Sequence, residues 1–312
     1  MSHTPKAQTA KENIMKASRF YVITGGTMVH VAPHFSLCAP AYGRVGRQIY
    51  DGLIKAFEDV GPKDDTWVHL VPTKMAADES QKDRDVQRLL KEAGLNYLET
   101  NEDLEKLIDH LVLQPETKGI VLAAAVCDWQ PECFRQDRFA MMHFGKSKER
   151  LRTSNGTGFL TIAPSDKIIG KIRKTRKDIF LVGFKATTGM EEQEQYITGL
   201  GLLKGASCNL VFANDVHKHV NMVITPEEAK YHVTKNRKLA IRGLCEMIAM
   251  RSELRFTRST VIDGDPVPWD SDAVPANLRK VVNHLIARGA YKPFQGKTVG
   301  HFATQGPKDG II

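Results

Sequence analysis

No stretch of the chain approaches the run of about 18 apolar residues that a membrane-spanning helix requires, and the polar N-terminal stretch Met1 to Lys16 carries no secretory signal core. A soluble cytoplasmic protein is therefore expected. Cysteine is sparse: Cys38, Cys127, Cys133, Cys208 and Cys245 are odd in number, scattered, and never arranged as Cys-x-x-Cys. That pattern argues against a disulfide framework or structural zinc and for idle thiols in a reducing compartment. No internal repeat and no dominant compositional bias is present, which excludes collagen, coiled coil and whole-chain disorder.

What is present is ordinary globular composition with a basic balance. The 312 residues include 44 Lys and Arg against 36 Asp and Glu, a formal charge of +8, with 42% hydrophobic residues. That length allows one large domain or two ordinary ones. The excess of positive charge favours anionic partners, nucleotides and phosphorylated metabolites as well as nucleic acid.

Residues 1–18 carry Lys6, Lys11 and Lys16 without a hydrophobic period and read as a mobile leader. From Phe20 onward, apolar runs alternate with helical patterns. Phe20 to Ile23 meets Thr24-Gly25-Gly26-Thr27, and a long loop precedes an amphipathic helix over 43–60 with Val45, Ile49, Leu53, Ile54 and Phe57 in register. Trp67 to Val71 reads as a strand, 79–93 and 104–113 as helices, and 119–126 as a buried strand opening onto Cys127-Asp128-Trp129. A basic helix over 168–177, a strand over 179–184, a helix over 191–203 and a strand over 208–213 follow, ending at Asn214-Asp215. Unbroken apolar strands separated by helices predict an α/β, doubly wound parallel sheet. In such sheets ligands bind beyond the carboxyl ends of the strands, which places Gly25, Gly26, Thr27, Asp128, Phe184, Asn214 and Asp215 around one crevice.

Beyond Asn221, residues 222–225 and 231–233 predict a β-hairpin before a helix over 238–251, and residues 253–312 a C-terminal extension with a helix over 275–288. The division expected is thus a leader over 1–18, a nucleotide-binding domain over 19–252 and the extension.

Glycines at a strand end allow a tight turn and bare N–H groups for phosphate. The segment lacks the G-x-G-x-x-G spacing, and no acid closes the second strand, where Pro72-Thr73-Lys74 follows Val71, so a nicotinamide dehydrogenase is disfavoured. Gly43 and Gly46, flanking Arg44, offer either a second phosphate turn or close helix packing. Gly296-Lys297-Thr298 is no P-loop, because Tyr291 stands where that loop needs glycine. His30 with His34, and His217 with His219, read as surface or hydrogen-bonding histidines.

Ten cations stand between Lys146 and Lys177. A solvated helix face accounts for Lys171 to Lys177. The loop carrying Arg150 and Arg152 is suited to close over a triphosphate, with Asp128 helping to hold Mg²⁺. A nucleic-acid groove is disfavoured because no aromatics interleave with these cations.

In their order, Ile23 to Thr27, Gly43-Arg44-Val45-Gly46, Ala123-Ala124-Ala125-Val126-Cys127-Asp128-Trp129, Arg150-Leu151-Arg152, Val182-Gly183-Phe184 and Ala213-Asn214-Asp215-Val216 resemble the phosphopantothenate–cysteine ligases of coenzyme A biosynthesis. The resemblance implies a Rossmann-like homodimer that uses CTP or ATP with Mg²⁺. The carboxylate of 4′-phosphopantothenate is activated as an acyl nucleotidylate, and the amine of cysteine displaces the nucleotide. By position, Gly25, Gly26 and Thr27 would shape the nucleotide turn, with Gly43, Gly46 and Ala125 beside it. Asp128 and Phe184 would flank the nucleotide, Arg150 would replace the family's flap lysine with Arg152 alongside, and the hairpin within 220–235 would pair two subunits.

Two positions depart from the family. Phe35 stands at an arginine and Ala39 at the asparagine that contacts the acyl intermediate. The expectation is therefore a diverged ligase, acting on 4′-phosphopantothenate or another anionic acid, with Ser36 or Asn155 as replacement donor. The alternative is a non-catalytic nucleotide- or dinucleotide-binding protein of the same fold.

Overall fold

The computed structural model describes residues 18–59, 66–76, 83–136, 139–252, 268–272 and 274–287. The chain divides into two units, Met1–Arg255 and Phe256–Ile312. Of the leader expected over 1–18, all but Ser18, which opens the first strand, lies outside the described residues, as do residues 79–82 of the helix expected over 79–93 and most of the C-terminal extension.

In the first unit the strands are β1 (Ser18–Gly26), β2 (Met28–Ala32), β3 (Phe35–Cys38), β4 (Thr66–Pro72), β5 (Thr117–Ala125), β6 (Trp129–Gln136), β7 (Phe139–Met141), β8 (Phe159–Pro164), β9 (Phe180–Thr187), β10 (Leu210–Asp215), β11 (Asn221–Ile224) and β12 (Lys230–Thr234). The helices are α1 (Arg44–Asp59), α2 (Arg84–Glu92), α3 (Asn101–Leu113), α4 (Ile169–Thr175), α5 (Glu192–Ala206) and α6 (Arg237–Ser252). The second unit holds α7 (Ala276–Ala287), whose Arg279 guanidinium donates to the carbonyls of Ser271 at 2.7 Å and Val274 at 2.8 Å. Among the described residues no helix is long and apolar enough to cross a membrane.

A seven-stranded sheet runs β4-β1-β5-β9-β10-β11-β12, with the first five strands parallel and the hairpin β11–β12 antiparallel at one edge. Alternate residues serve opposite layers, as the pleat requires. Phe20 and Val22 of β1 join Ile49 and Leu53 of α1 and Leu244 and Ile248 of α6, whereas Tyr21 and Ile23 join the apolar faces of α2, α3, α4 and α5. The doubly wound α/β reading is thus what the chain adopts. Counted among the parallel strands alone, the order is 2-1-3-4-5, which reverses between β1 and β5 and opens the crevice there.

Helix ends follow local chemistry. Thr100 caps α3 with a reciprocal box to Asp103, and this starts the helix three residues before the hydrophobic period does. Ser207 adopts the left-handed conformation, φ 50°, that ends α5.

Two segments differ from the sequence reading. The loop expected after the glycine turn is a hairpin, β2–β3, in which His30 sits opposite Ser36. The region from Trp129 to Pro164 folds as an antiparallel sheet ordered β7-β6-β8. Its strands are half exposed and interrupted by Pro131, so they carry no apolar run to announce them.

Candidate active site

Where β1 ends, Gly25 has φ +102°, a conformation that favours glycine. A Cβ on Gly25 would fall 2.1 Å from Thr73 Oγ1, and one on Gly26 would fall 2.0 Å from the carbonyl oxygen of Ala39. Gly43 and Gly46 are comparably close to Ala76 and Thr24, at 2.6 and 2.2 Å. All four glycines let segments of this chain pack at the crevice, so the packing alternative for Gly43 and Gly46 describes what their missing side chains allow.

Thr27 ties the two strands of the switch point together. Its backbone N–H donates to Ala125 O at 3.0 Å, its hydroxyl donates to Asn101 Oδ1 at 2.5 Å, and that hydroxyl accepts from the Cys127 N–H at 2.9 Å. Asn101 Nδ2 closes the ring by donating to Cys127 O at 2.7 Å. Buried Thr27 is thereby saturated by protein groups, and it positions the backbone of 125–128. Burial pushes the Cys127 thiol up, and the thiols of Cys208 and Cys245 are pushed up to about 12 by the same cause, so none is a thiolate nucleophile near neutrality.

Asp128 leaves this clamp at the end of β5 with its side chain 66% exposed, paired with Lys167 Nζ at 2.5 Å. Its backbone carbonyl accepts from Ser165 N–H, which fixes the approach of the chain to α4. Arg150 and Arg152 are exposed on the connection between β7 and β8, where Gln136 Nε2 donates to Arg152 O at 3.3 Å. Phe184, half buried on β9, packs its ring 5.4 Å from that of Phe212. Asn214 is half buried and paired in register with Asn221.

Asp215 is a correction to the crevice-facing reading. Its side chain is fully buried and accepts from Thr187 Oγ1 and from the backbone N–H groups of Gly189, Met190, His217 and Lys218. Burial alone would raise its pKa, but these donors outweigh it and hold the carboxyl well below the usual range. Asp215 therefore organises the loops after β9 and β10 from inside.

A second cluster was not singled out by the sequence. Glu99, 7% exposed, receives Lys74 Nζ on Oε1 at 3.0 Å and Lys146 Nζ on Oε2 at 2.6 Å. Both ammonium groups also lie over the Tyr97 ring, 4.6 and 5.5 Å from its centroid. His30 Nδ1 pairs with Ser36 Oγ at 2.7 Å, and its Nε2 lies 3.8 Å from Glu99 Oε2 without a hydrogen bond. Although burial would raise the pKa of Glu99, the two lysines hold it down. His30, Tyr97, Glu99, Asn101, Gln130 and Lys146 share a cavity of 580 Å³, which reaches Ser165 and Asp166. It is lined by segments that follow β1 and β5, Met28 to His30 and Gln130 with Pro131, and takes in none of Gly25, Gly26, Asp128, Arg150 or Phe184.

A family model described as "DNA/pantothenate metabolism flavoprotein C-terminal domain" matches residues 87–242, half of the chain. The match begins downstream of Phe35 and Ala39 and includes Asp128, Arg150, Phe184 and Asn214. The coenzyme A biosynthesis bifunctional protein CoaBC of Thermococcus kodakarensis is 30% identical over 119 residues, which cover 36% of this chain and 26% of that protein. The alignment thus spans about a quarter of the length of this curated relative. The solved DNA/pantothenate metabolism flavoprotein from Streptococcus pneumoniae superposes with a TM-score of 0.53 at 18% identity, covering 76% of this chain and 99% of that one. The C-terminal domain of a coenzyme A biosynthesis bifunctional protein CoaBC gives 0.50 at 14%, covering 76% and 96%. Both share the fold. With half its length matched, the chain belongs to the DNA/pantothenate metabolism flavoprotein C-terminal domain family, that of the phosphopantothenate–cysteine ligases which its motifs resemble.

Proposed function

We propose that this protein joins the carboxyl group of an acid, 4′-phosphopantothenate in the first place, to the amine of cysteine, consuming CTP or ATP. The observation that carries this reading is the exposed Asp128 at the end of β5, in the segment Ala123 to Trp129, inside the family match and at the switch point. A carboxylate is a poor electrophile until a phosphate leaving group is attached, so the site must manage phosphate charge and then keep water from an acyl intermediate.

The donor chemistry fits Mg²⁺, which is held by one or two carboxylates together with substrate phosphates. Asp128 would supply that carboxylate, exchanging its Lys167 partner for the cation, which neutralises charge on the phosphates. Arg150 and Arg152 would reach the phosphates from the β7–β8 connection, with Ala125 and Phe184 beside the nucleotide. Gly25, Gly26, Gly43 and Gly46 would shape the floor, while Asn214 and Asp215 would fix the neighbouring loop. The hairpin β11–β12 exposes Tyr231 and Val233 on the outer strand of the sheet, where a second subunit would pair to form a homodimer. The setting would be the cytoplasm.

Asp128→Asn is expected to weaken Mg²⁺–nucleotide binding about tenfold while leaving the thermal transition in place, because the side chain is exposed. Calorimetric titration of the two proteins checks this, and equal affinities would remove Asp128 from the site. Chromatography with mass detection tests the reaction itself: the amide of the acid and cysteine should accumulate only with nucleotide present. Nucleotide binding without amide from any acid would favour the non-catalytic reading, to which the loss of donors at Phe35 and Ala39 points.

A further inference from the structure

We propose that Ser36, His30 and Glu99 form a nucleophilic acyl-transfer site, in which the Ser36 hydroxyl takes the acyl group of a neutral or positively charged activated ester and passes it to water or an amine. This goes beyond the ligase reading and requires no nucleotide.

Ser36 and His30 stand opposite each other in the β2–β3 hairpin, with Oγ 2.7 Å from Nδ1. A cross-strand pair alone is a structural contact. Behind the ring, however, Nε2 is enclosed, makes no hydrogen bond, and faces Glu99 Oε2 at 3.8 Å. A buried polar atom left unpaired costs stability, and such atoms call for a role. Because a carboxylate only accepts, the ring proton belongs on Nε2 facing Glu99, and Nδ1 is left to accept from the Ser36 hydroxyl. That is the tautomer a nucleophile and its base need, with a third group orienting the base. Burial raises the Glu99 carboxyl, but Lys146 and Lys74 overcome this and keep it ionised. When His30 takes the serine proton, its imidazolium therefore faces a carboxylate already charged, and the gap between them shortens as the reaction proceeds.

His30 and Glu99 line the 580 Å³ cavity, whose charges select the acyl donor. Asp103 is spent on the N–H groups of Glu99 and Thr100, and Glu105 is paired with Lys171. Glu102 and Asp166 are the carboxylates an entering ligand meets. An anionic acyl group is repelled there and an ammonium-bearing one attracted. In the transfer, Ser36 Oγ attacks the acyl carbon while its proton passes to His30 Nδ1. The bond from the acyl carbon to the leaving oxygen breaks, and that oxygen departs with the electron pair. Water or an amine then attacks the seryl ester through His30, and Ser36 leaves and recovers its proton.

The p-nitrophenyl esters of glycine, acetic acid and succinic acid carry cationic, neutral and anionic acyl groups on one leaving group. With the full chain and no nucleotide, p-nitrophenolate should appear in a burst of about one equivalent, and peptide mass mapping should place the acyl group on Ser36. Acylation should be fastest with the glycyl ester and slowest with the succinyl ester. Ser36→Ala should abolish the adduct, and His30→Gln should slow it about a hundredfold. Glu99→Gln keeps the shape and removes the charge, and should slow acylation about tenfold or more. Nitrogen-15 NMR should find the His30 proton on Nε2 in the wild type and displaced toward Nδ1 in Glu99→Gln, a change that a structural role would not require. If these variants fail to fold, the wild type decides: Ser36 must react at least about a hundredfold faster in the folded protein than in urea. Acylation confined to lysines, no adduct on Ser36, or equal acylation of Ser36 in His30→Gln would overturn the proposal, and so would preference for the succinyl ester. The ligase reading stands or falls separately, on nucleotide-dependent amide formation.

Discussion

Gly26→Ala is expected to destabilise the protein by about 4 kcal/mol or more, read from the urea midpoint and slope. The added Cβ would fall 2.0 Å from Ala39 O, 2.8 Å from Ala41 N and 2.8 Å from Met75 Sδ. Only the methionine end can move aside cheaply. Relief requires the end of β1 to part from the segment 39–41, and that displaces the crevice floor together with the Thr27 clamp, so ligand affinity should fall as well. Gly201→Ala is the internal control: it is exposed within α5, nothing lies within 4 Å of the place its methyl group would take, and alanine there should stabilise by about 0.5–1 kcal/mol. A Gly26→Ala variant within about 1 kcal/mol of wild type would contradict the close approach of the end of β1 to the segment 39–41.

Asp215→Asn is expected to lower Tm by about 5–10 °C at neutral pH. Five donors converge on the carboxylate, three of them on Oδ1 and two on Oδ2. An amide turned either way places its NH₂ against at least one backbone N–H, and no water can replace the lost acceptor at a fully buried position. The pH dependence follows from the depressed carboxyl. Because the folded pKa lies below the unfolded value of about 3.9, the contribution is full above that value and is lost as pH falls through the folded pKa. The gap in Tm between wild type and variant should therefore be widest near neutrality and narrow below about pH 4. A gap that does not change with pH would show that the carboxylate charge is not what the loops use.

The sheet was legible because β1, β5, β9 and β10 are buried on both faces and read as unbroken apolar runs. Helix α1 was legible for the complementary reason, a single apolar stripe. The antiparallel sheet β7-β6-β8 was not, since half-exposed strands punctuated by Pro131 show neither an unbroken run nor a clean alternation. Of the candidate site, the position of Gly25, Gly26, Thr27 and Asp128 at a strand-end crevice followed from the strand pattern. Their individual roles did not. Asp128 and Asp215 both close a strand in sequence, yet one faces solvent and the other is enclosed by the loops it organises. The Glu99 cluster had no signature at all, because Lys74 and Lys146 lie 25 and 47 positions from the glutamate they meet. Only the folded chain brings those charges together.

The proposed function requires that this crevice activate a carboxylate with a nucleotide. Pyrophosphate release with Mg²⁺, CTP or ATP, 4′-phosphopantothenate and cysteine, omitting each component in turn, tests it most directly. Release should require the acid, the nucleotide and Mg²⁺. Nucleotide binding with no acid-dependent release, across 4′-phosphopantothenate and other anionic acids, would contradict it.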